Sequence, residues 1–156
     1  MTECKNIFAI LDELKENAAQ INEDDLKAVE KLITEANRIF VGGAGRSGFA
    51  ARGFSNRLMH LGYTVYFVGE PTTPSIQPGD LLIVGSGSGN TASLVSNAQK
   101  AKAQGAKVAT LTMFPENKIG SMADAAIKIP GETEKVKGAG KKSVQASGSA
   151  FEELSW

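Results

Sequence analysis

Apolar positions in the first third of the chain recur at helical spacing. Ile7, Phe8, Leu11, Leu14 and Ala18 make one stripe, with Glu13, Lys15 and Glu16 on the other face. A second run opens at Asn22 or Glu23 and carries Leu26, Val29, Leu32, Ile33 and Ala36 on one side. Both read as amphipathic helices that pack on a core and are suited to an oligomer contact. The period then changes. Short apolar runs at 38–41, 64–68, 80–84, 107–112 and 126–129 predict five strands. Helical stretches are predicted over 49–61, ended by Gly62, and over 92–104, stopped by Gly105, with a short helix at 119–123. Residues 70–79 hold Pro71, Pro74 and Pro78 and read as a loop. Residues 131–143 are polar, rich in Gly and Lys, and read as a mobile surface loop, and 149–156 opens a further helix.

Strands that alternate with helices imply parallel strands joined by right-handed crossovers. Strands apolar nearly throughout, as all but the last are, expect cover on both faces. The expected fold is α/β: a three-layer, doubly wound, five-stranded parallel sheet of the flavodoxin-like kind. It forms one domain over residues 1–156, with 1–36 as an N-terminal helical pair. A length of 156 residues with 42% hydrophobic and 22% charged residues suits a single core that needs no staples.

Charge and composition narrow the function classes. Lys plus Arg and Asp plus Glu each number 17, so there is no overall electrostatic pull toward nucleic acid or an anionic membrane. Any anion must be held by local geometry. One Cys, Cys4, rules out an intrachain disulfide and fits a reducing, cytoplasmic compartment. One Cys and one His, His60, do not assemble a zinc site of the usual kind. The first ten residues lack a basic stretch followed by a long apolar run, so no secretory signal is expected. No apolar run approaches the length that spans a bilayer.

The chemistry concentrates in a device that occurs twice: strand, glycine-rich loop, helix. The two copies read IFVGGAGRSG and LIVGSGSGNT. Glycines let a backbone turn tightly and approach a ligand, and the helix that follows offers free N–H groups and a positive dipole end to a phosphate. Ser47, Ser86, Ser88 and Thr91 add hydroxyls, and Gly45 and Arg46 lie inside the first loop as candidate substrate contacts. Arg46 reads equally as a solvated helix-start residue. If the strand order is 2-1-3-4-5, both loops meet at the topological switch point where such sheets bind ligands. A bland alternative is that the loops only turn strands into helices. A sharper one is a dinucleotide site, since Gly43, Gly45 and Gly48 match G-x-G-x-x-G and Glu70 follows the second strand to take a ribose hydroxyl. In that reading the second loop has no clear task. The Walker A pattern fails, because neither loop ends in Lys followed by Ser or Thr.

The segments VGGAGRSG, NRLMHLGY, TTPSIQPGDLLIVGSGSGNT, IGSMADAAIKIPG and SVQASGSAFEE run in this order over nearly the whole chain. Together they resemble the sugar isomerase (SIS) domain family. GSGSG-x-T marks its phosphosugar-binding domains generally, whereas LMHLG and SVQ…GS-x-FE point to its hexulose-phosphate isomerases. The resemblance implies conversion of 3-hexulose 6-phosphate to fructose 6-phosphate without a cofactor, in the ribulose monophosphate route of formaldehyde fixation. It implies that Ser47, Ser86, Ser88 and Thr91 hold the phosphate and that Glu152 and His60 are the acid–base residues. It also implies a homotetramer with sites between subunits.

Moving a carbonyl to its neighbour requires one proton to pass between adjacent carbons through an enediol, which a positioned carboxylate can carry. The sugar also closes into a ring, where a second acid–base group near the ring oxygen helps, and histidine is the side chain suited to that near neutral pH. Each candidate has a plainer reading. Ser149 to Glu152 also spells a capping box. His60 lies on the polar side of its helix with Asn56 and Arg57, as a surface or interface histidine would. Its distance from both loops favours action on a neighbouring subunit's site. Two departures from the family stand out. Gln145-Ala146-Ser147-Gly148 replaces Gln-Pro-Met-Gly, and the chain stops at Trp156 where the family continues with a long apolar helix. A truncated C-terminal helix is therefore expected. Three functions stay open at this point: a hexulose-phosphate isomerase, a non-catalytic phosphosugar-sensing module, and a dinucleotide-binding oxidoreductase domain.

Overall fold

A computed structural model describes residues 4–132, 143–146 and 148–156. Most of the expected loop at 131–143, and Ser147, lie outside the described residues. The chain runs α1 (Lys5–Ala18), α2 (Glu23–Glu35), β1 (Ile39–Gly43), α3 (Arg46–His60), β2 (Val65–Phe67), β3 (Leu81–Gly85), α4 (Ala92–Ala103), β4 (Lys107–Thr112), a 3-10 turn (Gly120–Met122), β5 (Ala125–Lys128) and α5 (Ser149–Ser155). The five strands are parallel in the order β2-β1-β3-β4-β5. That is the doubly wound order in which β1 and β3 are neighbours, and their registers end together at Gly43 opposite Gly85.

Alternation along the strands builds two cores. Ile39, Val41, Leu81 and Ile83 face one side, where they meet Val29 of α2, Ala51 and Leu58 of α3, and Phe151 of α5. Phe40, Leu82 and Val84 face the other side under Leu94, Val95, Ala98 and Ala101 of α4. Arg38, just before β1, donates from Nε to Asp80 Oδ1 at 3.0 Å, and Gln77 N donates to Asp80 Oδ2 at 2.7 Å. This satisfies an aspartate that is only 2% exposed.

Three local differences from the expected pattern have physical causes. First, α3 begins at Arg46 rather than near residue 49. A Cβ on Gly48 would sit 2.9 Å from the Gly43 carbonyl oxygen, and one on Gly43 would sit 2.9 Å from the Gly48 Cα. The two glycines thus press helix backbone onto strand backbone, and the turn shrinks to Ala44 and Gly45, the latter at φ 59°. Second, β2 is an edge strand, only half-buried along its length. Third, α1 buries none of its residues: Ile7, Phe8 and Leu11 of its apolar stripe are exposed, so the helix does not enter this chain's core as its pattern suggests. Among the described residues no helix is long and apolar enough to cross a membrane.

Candidate active site

The switch point between β1 and β3 opens into a cleft of about 400 Å³. One wall is the first loop and the start of α3, with Gly45, Arg46 and Ser47. The floor is the second loop, with Ser86, Ser88 and Thr91. The third wall comes from α5, which brings Phe151 and Glu152 from the far end of the chain. All six candidate phosphate or substrate contacts therefore share one cleft with Glu152. Glu152 is the sole carboxylate among the described residues that line it.

The N-terminal ends of α3 and α4, which face the cleft, are built differently from that of α2. At α2, Asn22 accepts from Asp24 N at 2.7 Å, and Glu23, Asp24 and Asp25 fill the first turn. That is how a helix satisfies its own N-terminus. At α3 the N-cap is Gly45, at α4 it is Thr91, neither side chain makes a capping bond, and neither first turn holds an acid. Thr91 instead lies 3.3 Å from Ser86, hydroxyl to hydroxyl. Two dipole ends without their own negative partner converge on a hydroxyl-lined floor, an arrangement that favours a bound anion.

The second loop is held from behind. Gly89 has φ 65°, and Asn117 donates from Nδ2 to the Ser88 carbonyl at 2.8 Å. Met113 N donates to the Gly87 carbonyl at 3.1 Å and Ile119 N to the Gly89 carbonyl at 3.0 Å. Ser86 and Ser88 are buried at 4% and 8% exposure, so their hydroxyls sit in a fixed loop. Asn117 and the apolar lining residues Leu94 and Met113 were not legible as site residues, because no local pattern distinguishes them from core and turn positions.

Glu152 is held from the front. Ser47 Oγ donates to Glu152 Oε1 at 3.3 Å, and Arg46 Nε approaches the same oxygen at 3.6 Å. The capping-box alternative does not hold. The N-cap of α5 is Gly148 in the left-handed region, and it makes no side-chain capping bond. Glu152 turns instead into the cleft. His60 stands apart. It is exposed at the other end of the 15-residue α3, about 20 Å along the helix from Ser47. This chain's own cleft does not include it.

The dinucleotide alternative loses its acid. Glu70 is paired with Arg52, which stacks on the Phe67 ring at 4.1 Å from the centroid, and Glu70 does not line the cleft. The Gly43 to Gly48 spacing is accounted for by strand–helix packing. Among the described residues, no group of three His, Cys, Asp or Glu side chains is placed to hold a metal ion.

A doubly wound sheet with two glycine–hydroxyl loops and one carboxylate at its switch point defines an α/β domain with an anion-binding cleft. Residues 32–154 match the SIS domain, and the chain belongs to that family. It is 43% identical over 147 residues to the 3-hexulose-6-phosphate isomerase of Bacillus subtilis, covering 94% of this chain and 80% of that protein. It is 40% identical over 149 residues to the 3-hexulose-6-phosphate isomerase of Mycobacterium gastri, covering 96% and 74%. Its fold also matches the crystal structure of a Methanococcus jannaschii protein with the inferred function of 3-hexulose-6-phosphate isomerase. There the TM-score is 0.73 at 36% identity, over 97% of this chain and 78% of that one.

Proposed function

We propose that this chain is an isomerase that converts 3-hexulose 6-phosphate to fructose 6-phosphate. The observation that carries the reading is the cleft itself, with an anion-binding floor at one side and a single carboxylate, Glu152, at the other. The identity to named isomerases over most of both chains supports the choice of substrate.

In this reading Gly45, Arg46, Ser47, Ser86, Ser88 and Thr91 hold the phosphate and neighbouring oxygens. The phosphate does not react, so its binding energy serves to place the reacting carbons against Glu152. Glu152 takes the proton from C2 of the 3-ketose. The electron pair forms the C2–C3 double bond of an enediol as O3 gains a proton. Return of the carbon proton to C3 and loss of the O2 proton leave the carbonyl at C2. Atoms and electrons balance within the sugar, so the step calls for no external oxidant or cofactor. His60 serves ring closure of the fructose 6-phosphate product in a neighbouring subunit's cleft, which fits its exposure at the far end of α3. The remaining parts of the reading are a homotetramer of single-domain chains, in the cytoplasm, acting in the ribulose monophosphate route of formaldehyde fixation.

A non-catalytic phosphosugar sensor would need the floor but not the carboxylate, and the placement of Glu152 in the cleft favours the enzyme. Turnover decides between them. Fructose 6-phosphate formed from 3-hexulose 6-phosphate, read through a coupled dehydrogenase, supports the isomerase. Binding of fructose 6-phosphate without turnover supports the sensor.

A further inference from the structure

Glu152 sits on a helix of seven residues, too short to hold its own direction. Phe151, 2% exposed, anchors one side of α5 in the core. The other side is tied by polar contacts. Residues 143–145, which lead into α5, are gripped by carboxylates from three separate elements. Ser143 N donates to Glu132 Oε2 at 2.7 Å, after β5. Val144 N donates to Glu13 Oε1 at 3.3 Å, on α1. The Gln145 amide then joins two acids: its Nε2 donates to Glu13 Oε2 at 3.3 Å and to Glu153 Oε2 at 3.0 Å. Glu153 is the chain neighbour of Glu152, so the bridge fixes the rotation of α5 at the residue next to the reacting carboxylate.

We infer that the Glu13–Gln145–Glu153 bridge is a positioning device that aims Glu152 into the cleft, and that Gln145 is its central residue. The inference rests on the assignment of Glu152 as the proton carrier. It gives α1 a task that burial does not, since α1 contributes nothing to the buried core yet supplies both oxygens of Glu13. Both hydrogens of one amide are used, so a carboxylate at position 145 removes the donors and sets three negative groups together. Truncation to alanine removes the donors without the repulsion.

The test uses the full chain with Q145A, Q145E, E13A and the E13A/Q145A double variant. Three quantities are read: kcat and KM for 3-hexulose 6-phosphate, Kd for fructose 6-phosphate, and acrylamide quenching of Trp156. That residue is the single tryptophan, four residues beyond Glu152, and its ring centroid lies 5.2 Å from that of Phe54. Loss of aim lowers kcat by about ten- to a hundred-fold, most in Q145E, with KM and Kd within about three-fold of wild type. The double variant falls short of the summed single effects, because the two share the Glu13–Gln145 bond. Quenching rises in each variant as α5 loosens. Unchanged kcat and unchanged quenching in Q145E overturn the inference, as does a loss confined to KM. Full turnover by E152Q would overturn the catalytic assignment instead, and Trp156 quenching would still decide whether the bridge holds α5.

Discussion

Ser47 Oγ lies 3.3 Å from Glu152 Oε1, a hydrogen bond between residues 105 positions apart that joins the α3 wall of the cleft to its carboxylate. A serine hydroxyl has one proton to give. Here it goes to Glu152. Under the proposed function, a phosphate seated on the first turn of α3 would compete for it, so that filling the phosphate site and freeing the carboxylate become one event.

Replacing Ser47 with alanine removes one hydrogen bond to a charged group in either state, worth about 1.5–3 kcal/mol. Because the bond is lost in the free and the bound state alike, fructose 6-phosphate binding by S47A should stay within about ten-fold of wild type in a calorimetric titration, while kcat falls as Glu152 loses a fixed partner. Wild-type affinity and turnover in S47A would remove the hydroxyl from the site.

Two glycines on the same helix should respond to alanine with opposite signs. At Gly48 a Cβ meets the Gly43 carbonyl oxygen at 2.9 Å, backbone against backbone with no side chain to give way. G48A should lose about 1–3 kcal/mol in denaturant unfolding. At Gly53, in the middle of α3, a Cβ meets nothing within 4 Å. G53A should gain about 0.5–1 kcal/mol. Equal effects at the two positions would contradict the packing described for β1 and α3.

How far the sequence revealed this molecule follows from which forces act locally. The five strands and their helices were legible because apolar periodicity is a local signal, and the loops because glycine and hydroxyl residues cluster there. The strand order was not, since pairing of β1 with β3 joins residues about forty apart through contacts that no short window contains. The start of α3 was displaced because Gly48 reads as a loop residue by propensity, whereas here it is required for close packing inside a helix. Glu152 showed two local readings, capping residue and site residue. Gly148 at the N-cap removes the first, and the approach of Arg46 and Ser47, distant in the chain, is contact that no short window contains. The Gln145 bridge had no sequence signal, because its partners come from α1 and α5.

Asp124 predicts a pH dependence away from the cleft. Burial pushes its carboxyl up, but hydrogen bonds from the Lys102 ammonium, the Val108 N–H and the Lys107 ammonium together hold it below the ordinary carboxylate range. A carboxylate depressed in the folded state stabilises the fold above its unfolded value, about 3.9, and that share is lost as pH falls through the folded value. D124N should therefore be less stable than wild type at pH 7, by about 1–3 kcal/mol. The gap should narrow as pH is lowered below about 4, in thermal unfolding followed by circular dichroism. A gap that stays constant down to pH 2 would contradict the assignment.

The central claim is that one cleft holds a sugar phosphate on two loops and moves its proton with Glu152. The most direct measurement is turnover of 3-hexulose 6-phosphate by wild type and E152Q, with fructose 6-phosphate affinity measured on both. Wild type should form fructose 6-phosphate, and E152Q should lose about 10²–10⁴-fold in kcat while its affinity stays within a few-fold. Equal turnover by the two proteins, or no turnover by wild type, would contradict the claim.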